Sequence, residues 1–83
     1  PRPTLILGAL ADKDWPAMVR ELVPLCARVL TVPVASGRAV GAEELRAACV
    51  ATGAGRPVKA AASLAEGLKL TAADPFVLIT GSL

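Results

Sequence analysis

Leu5-Ile6-Leu7 runs through Gly8-Ala9-Leu10-Ala11 into the charged triplet Asp12-Lys13-Asp14. Trp15-Pro16-Ala17-Met18-Val19-Arg20-Glu21-Leu22 follows with helical periodicity. An apolar run of strand length that stops at a glycine, then a charged turn, then an amphipathic segment reads as a strand–turn–helix unit. Open α/β sheets take their ligands in such turns, outside the carboxyl ends of the strands. The layout returns at the far end, where Phe76-Val77-Leu78-Ile79-Thr80 meets Gly81-Ser82-Leu83.

The segments between alternate in the same way. The first strand is expected over Thr4–Gly8. A helix starts near Asp14, a good N-cap, with Pro16 tolerated in its first turn. Its apolar stripe is Trp15, Met18, Val19, Leu22, Val23 and Cys26, and Pro24 should end or kink it. A second strand covers Arg28–Val32, stopped by Pro33. Val34–Gly41 is a loop that turns at Gly37. A second helix covers Ala42–Thr52, with Glu43 and Glu44 in the turn where the helix dipole favours acids, and Gly53 and Gly55 stop it. A short third strand lies near Val58–Ala61. Ser63-Leu64-Ala65-Glu66 is a capping box opening a third helix that runs to about Ala72. Gly67 within it costs about 1 kcal/mol against Ala, a cost that close packing on a sheet would justify. Asp74-Pro75 breaks that helix, and the fourth strand is Phe76–Thr80.

Strictly alternating strands and helices, joined by right-handed crossovers, leave few arrangements. The first and fourth strands are the most apolar, as central parallel strands are. The third is weak and belongs at an edge. The predicted fold is therefore α/β: a three-layer, Rossmann-like domain spanning residues 1–83, with four parallel strands in the order 3-2-1-4 and helices on both faces. That order puts the switch point between strands one and four. The Ala11–Asp14 turn and the Gly81-Ser82 turn then face each other across one crevice.

Size and charge narrow the function. Eighty-three residues make one small domain. Of the 54% hydrophobic residues, 17 are alanine, so the layers should be thin. Nine basic and seven acidic residues leave +2, and the arginines are scattered. Neither a basic stripe nor an aromatic platform exists, so no nucleic-acid partner is expected. No run approaches the roughly 20 apolar residues of a membrane span. Cys26 and Cys49 stand apart, and there is no histidine. No zinc site, thiol–imidazole pair or Ser-His-Asp nucleophile can form within the chain. Both cysteines lie on apolar helix faces and read as inert buried thiols, which fits a cytoplasmic location. Neither a G-x-G-x-x-G nor a G-x-x-x-x-G-K-[ST] sequence is present, so the chain has no self-contained dinucleotide or triphosphate site.

Three features can carry chemistry, and each has a plain alternative. Asp12-Lys13-Asp14 can position an anion or a metal ion, or Asp14 is a helix cap between solvated charges. Thr80-Gly81-Ser82 can offer backbone N–H groups and a hydroxyl to an anion, or it is a strand-ending turn. Arg38 can fork onto a carboxylate, or it is a solvated loop residue. A phospho-acceptor receiver would need an acid pair after its first strand and a lysine after a later one, and that pattern is missing.

Four stretches carry a resemblance: Gly-Ala-Leu-Ala-Asp-Lys-Asp between strand and helix, Leu-Val-Pro-Leu-Cys-Ala-Arg-Val-Leu-Thr, Arg-Ala-Val-Gly-Ala-Glu-Glu-Leu, and the closing Val-Leu-Ile-Thr-Gly-Ser-Leu. Together they resemble the C-terminal domain of bacterial folylpolyglutamate synthase/dihydrofolate synthase, of the Mur ligase superfamily. The resemblance runs over almost the whole chain, with residues 5–14 and 76–83 the most specific. It implies a piece of a longer ATP-dependent enzyme that joins glutamate to a folate or dihydropteroate carboxylate through an acyl phosphate. ATP and Mg²⁺ would be cofactors of that parent, held largely by its central domain, on which this domain would close. None is expected bound by this piece alone, which should be inert by itself. Ser82 matches a serine implicated in holding glutamate. Asp12, Lys13, Asp14 and Gly81 would face the interdomain cleft. Arg38 falls where related diamino-acid-adding Mur ligases have Asn-Pro-Arg, although here the residues are Ser36-Gly37-Arg38.

Other readings stay open on the residues alone. One is a non-catalytic α/β module that binds a small ligand or partner, and another is a purely structural interaction domain. A third is the C-terminal domain of a Mur peptidoglycan-precursor ligase, against which stands the missing Gly/Lys/Arg-rich continuation after Asp14.

Overall fold

Strand β1 (Thr4–Leu7) sits inside a four-stranded sheet, where its four residues are all buried. On one side it pairs with β2 (Arg28–Thr31), Thr4 opposite Arg28 and Leu7 opposite Thr31. On the other it pairs with β4 (Val77–Thr80), Thr4 opposite Val77 and Leu7 opposite Thr80. β3 (Val58–Ala60) lies beyond β2, and every pairing is parallel. The order is β3-β2-β1-β4, the one expected from the sequence. The computed structural model describes residues 2–80.

Alternation along β1 divides the core. Leu5 and Leu7 join Val29, Val19, Val23, Cys26, Leu45 and Cys49 beneath α1 (Trp15–Leu22) and α2 (Ala42–Ala51). Ile6 points the other way, toward Leu30, Val32 and Ala61, beneath α3 (Leu64–Leu70). Each large aliphatic side chain fully buried is worth roughly 1.5–3 kcal/mol, so most apolar stabilisation lies on the α1/α2 face. On the thinner face α3 must come close. A Cβ on Gly67 would stand 3.2 Å from Val32 Cγ1 and 3.7 Å from Ile6 Cγ2. That is the reason a glycine is kept in mid-helix.

The helix ends follow their local chemistry. The Asp14 carboxylate accepts from the Ala17 N–H at 3.4 Å. After α1 the chain tightens into a 3-10 turn at Val23–Leu25, around Pro24. Gly53 and Gly55, at φ +73° and +72°, terminate α2. Ser63 Oγ accepts from the Glu66 N–H at 3.1 Å. The return bond departs from the simple capping box, since Glu66 Oε1 accepts from the Ala62 N–H rather than from Ser63. Both thiols are buried and unpaired. Burial raises the Cys26 pKa and pushes Cys49 up to about 11, so both stay protonated and unreactive at neutral pH.

Among the described strands β4 holds the end position that the expected order gives it. Its run is as apolar as that of a covered strand, yet Leu78 is 42% and Ile79 53% exposed. Apolarity reports what a strand is suited to be covered by, and among the described residues nothing packs on its outer side.

At the amino edge of the sheet, Asp74 Oδ2 is a hub. It accepts from the Thr4 hydroxyl and from Arg28 Nε and Nη2 at 3.1 and 2.9 Å. Arg28 Nη2 also donates to the Leu70 carbonyl at 3.1 Å. The cluster thereby ties β1, β2, the end of α3 and the approach to β4. The Thr4 hydroxyl, and then Arg28, hold the Asp74 carboxyl below its usual range. A depressed carboxylate supports folding above the ordinary Asp value of about 4, and that support is lost as pH falls through its own lower value. Asp74→Asn should therefore be less stable than the parent sequence at neutral pH. It should also lose part of the acid dependence of unfolding followed by circular dichroism. Superimposable stability–pH profiles would show that the hub contributes nothing.

Candidate functional site

The loops leaving β1 and β2 rise side by side from the carboxyl edge of the sheet. Backbone bonds lace them together. The Ala11 N–H donates to the Arg38 carbonyl at 2.7 Å, and the Val40 N–H to the Ala9 carbonyl at 2.9 Å. Leu10 and Ala39 form an isolated antiparallel bridge between these bonds. The lacing needs a close approach below it. A Cβ on Gly8 would lie 2.6 Å from Val34 Cγ1 and 3.2 Å from the Val32 carbonyl oxygen. Only a glycine lets the two loops converge there.

Convergence brings Asp12 and Arg38 together across 26 residues, with Arg38 Nη1 donating to Asp12 Oδ2 at 3.0 Å. The side chains are 47% and 67% exposed, respectively. Such an open pair is worth at most about 1 kcal/mol, so it orients these groups more than it stabilises the fold. One guanidinium nitrogen is engaged and the remaining donors face solvent. Ser36 shapes the approach to Arg38, its hydroxyl accepting from the Arg38 N–H at 3.1 Å. Lys13 is exposed and makes no ion pair among the described residues. Asp14 is the cap of α1, so the plain reading of that carboxylate is the one the structure bears out.

Of the residues singled out from sequence, Asp12, Lys13, Asp14 and Arg38 therefore share one edge. Gly81 and Ser82 lie outside the described residues. Their neighbour Thr80 accepts from the Gly8 N–H through its carbonyl at 3.1 Å, beside the start of the β1–α1 loop. Sequence reasoning missed the Asp12–Arg38 pair. Opposite charges in the loops after two adjacent strands were the available signal.

A groove of about 710 Å³ lies on the α3 side, lined by Ile6, Gly8, Val32 to Ala35, Ser63 to Ala65, Ile79 and Thr80. None of the four charged residues lines it. Its wall is apolar and follows the uncovered strand β4, so it is bare packing surface more than a polar ligand site. Among the described residues no cluster of three or more His, Cys, Asp or Glu is placed to hold a metal ion, and no helix is long and apolar enough to cross a membrane.

The sequence matches no protein-family model and no curated protein. Solved structures do match. A Mycobacterium tuberculosis folylpolyglutamate synthase complexed with ADP and AMPPCP superposes with a TM-score of 0.83 at 27% identity, over 98% of this chain and 21% of that one. A second structure of that enzyme, with ADP, gives 0.72 at 23% identity over 96% and 20%, and bears on the fold alone. The chain resembles a domain of folylpolyglutamate synthase in sequence and in fold. It spans about a fifth of that enzyme's length.

Within a folylpolyglutamate synthase-like domain, the edge that carries Asp12 and Arg38 depends on the β1 glycine. Gly8→Ala should destabilise the protein by about 1–3 kcal/mol, as overpacking does, because a backbone carbonyl and a short branched side chain both stand in the way. Urea unfolding reads this directly. An unchanged midpoint would mean that the β2–α2 loop can shift freely and that Gly8 does not set its position.

Proposed function

We propose that this chain is the C-terminal domain of an ATP-dependent ligase that joins glutamate to a folate or dihydropteroate carboxylate. Residues 1–83 form one domain in this reading, and its carboxyl edge helps to hold the incoming glutamate. The observation that carries it is the match to folylpolyglutamate synthase at 27% identity across nearly the whole chain. The match is supported by a carboxyl edge where Asp12, Lys13 and Arg38 are gathered by the fold.

ATP and Mg²⁺ do not fit the residues of this chain by themselves. The sequence has no phosphate-binding loop, and the described acids form no metal cluster. Both cofactors belong, in this reading, to the rest of the longer enzyme, which lies in the cytoplasm. This chain's part is to bind and orient. Glutamate carries an ammonium and two carboxylates, so an edge with both signs of charge suits it. Arg38 keeps donors free for a carboxylate after its single bond to Asp12. Lys13 adds a second cation, and the Asp12 carboxylate can accept from an ammonium. Ser82, next but one after Thr80, would add a hydroxyl donor. Closing this edge on the domain that holds the acyl group brings amine and carbonyl together and excludes water.

In the longer enzyme, Ser82→Ala should raise KM for glutamate roughly ten- to a hundredfold, the value of one lost hydrogen bond to a charged group. KM for ATP should change much less. Lys13→Ala should lower kcat while leaving the thermal midpoint nearly unchanged. The isolated 83-residue protein should turn over no ATP. Wild-type glutamate kinetics in both variants would remove the glutamate-binding assignment, and ATP turnover by the isolated protein would remove the division of labour between domains.

A further inference from the structure

Asp12 and Arg38 meet through a short antiparallel ladder between the two loops. The Ala11 N–H donates to the Arg38 carbonyl at 2.7 Å, and Leu10 and Ala39 bridge beside it. The Arg38 N–H is held in turn by Ser36 Oγ at 3.1 Å. The backbone of Arg38 is thus pinned on both sides, and only its side chain is left to orient. Asp12, one residue beyond Ala11, reaches that side chain at a single nitrogen, with Arg38 Nη1 donating to Asp12 Oδ2 at 3.0 Å. The Nε–Nη2 fork of Arg38 has no partner among the described residues. That fork is a face with which a guanidinium grips a carboxylate. Arg28 uses it in this protein, donating from both Nε and Nη2 to one carboxylate oxygen of Asp74.

We propose, resting on the reading of this edge as a glutamate site, that Asp12 is a positioning residue for Arg38. It holds the guanidinium by Nη1 so that the Nε–Nη2 fork is presented to a carboxylate of glutamate. An arginine side chain left loose gives up its rotamer freedom on binding, and affinity falls accordingly. Asp12 removes part of that loss beforehand, because the guanidinium is already restrained in the free domain. A carboxylate seated on the fork itself would compete with the substrate. Asp12 bonds the nitrogen outside the fork, so it orients the group without filling the place where glutamate binds. The orienting contact is one hydrogen bond, which an amide oxygen also accepts, so an asparagine can take over this role. Exposure bounds the effect. A pair as open as this one contributes little, so the gain in glutamate affinity is at most about fivefold.

Kinetics of the longer enzyme test this. Arg38→Ala should raise KM for glutamate roughly tenfold or more, through the loss of hydrogen bonds to a charged group. Asp12→Ala should raise it roughly three- to fivefold, with kcat and KM for ATP changed less than about twofold. Asp12→Asn should recover most of that loss. In the Arg38→Ala background, Asp12→Ala should add nothing, because a residue that acts through Arg38 then has nothing to position. In the 83-residue protein, the heteronuclear NOE of the Arg38 Nε–H should fall in Asp12→Ala and hold in Asp12→Asn, while that of Arg28 stays the same. A silent Arg38→Ala removes the glutamate reading of this edge, and the proposal with it. A costly Arg38→Ala beside a silent Asp12→Ala overturns the proposal alone. Additive losses in the double variant do the same, since they make Asp12 a direct substrate contact. So does an Asp12→Asn protein as poor as Asp12→Ala, or an Arg38 signal indifferent to Asp12.

Discussion

Two-sided burial of β1 is the constraint on which the other elements depend. Four buried residues, three of them with no exposed surface, must be covered above, below and along both edges. β2 and β4 take the edges, α1 and α2 one face, and α3 the other. A parallel strand needs a crossover to reach its neighbour, and right-handed crossovers put α1 and α2 on one side and α3 on the other once the order reverses at β1. The switch point is therefore a consequence of covering β1. So is the meeting of loops above it, since β1 ends at the place where both its neighbours also end.

The two ends of that strand are built differently. At the amino end one partly buried carboxylate oxygen gathers three donors from Thr4 and Arg28 and fixes four segments. At the carboxyl end the loops are held by backbone bonds, and their charged side chains project into solvent, joined by one open ion pair. A locked amino end and a soft carboxyl end suit a domain that acts at its carboxyl edge. Groups there can exchange one partner for another without disturbing the sheet, because their mutual bond contributes little to its stability.

Much of this was legible in the sequence for local reasons. Ser63 and Glu66 mark the start of α3, Gly53 and Gly55 the end of α2, and the alternation of apolar runs gives the sheet order. Gly67 could be read as a close approach because a mid-helix glycine has few other justifications. What could not be read depends on neighbours distant in the chain. The Asp12–Arg38 pair exists because two irregular loops happen to run antiparallel, and loops carry no periodicity from which their register can be inferred. The Asp74 hub joins residues up to 70 positions apart. The exposure of β4 could not be read for a related reason. Composition records the surroundings a strand is suited to, whereas exposure records what is there.

That difference bears on how the carboxyl edge can work. The apolar groove and the charged edge both lie at the carboxyl ends of the strands, yet share no charged residue. Gly8 belongs to both: its missing side chain lets the β2–α2 loop approach, and its backbone lines the groove. Anything that covers β4 packs within reach of Thr80, whose carbonyl holds Gly8. The apolar surface and the polar edge therefore meet at one short stretch of backbone, where the Gly8 N–H donates to the Thr80 carbonyl at the base of the loop that carries Asp12.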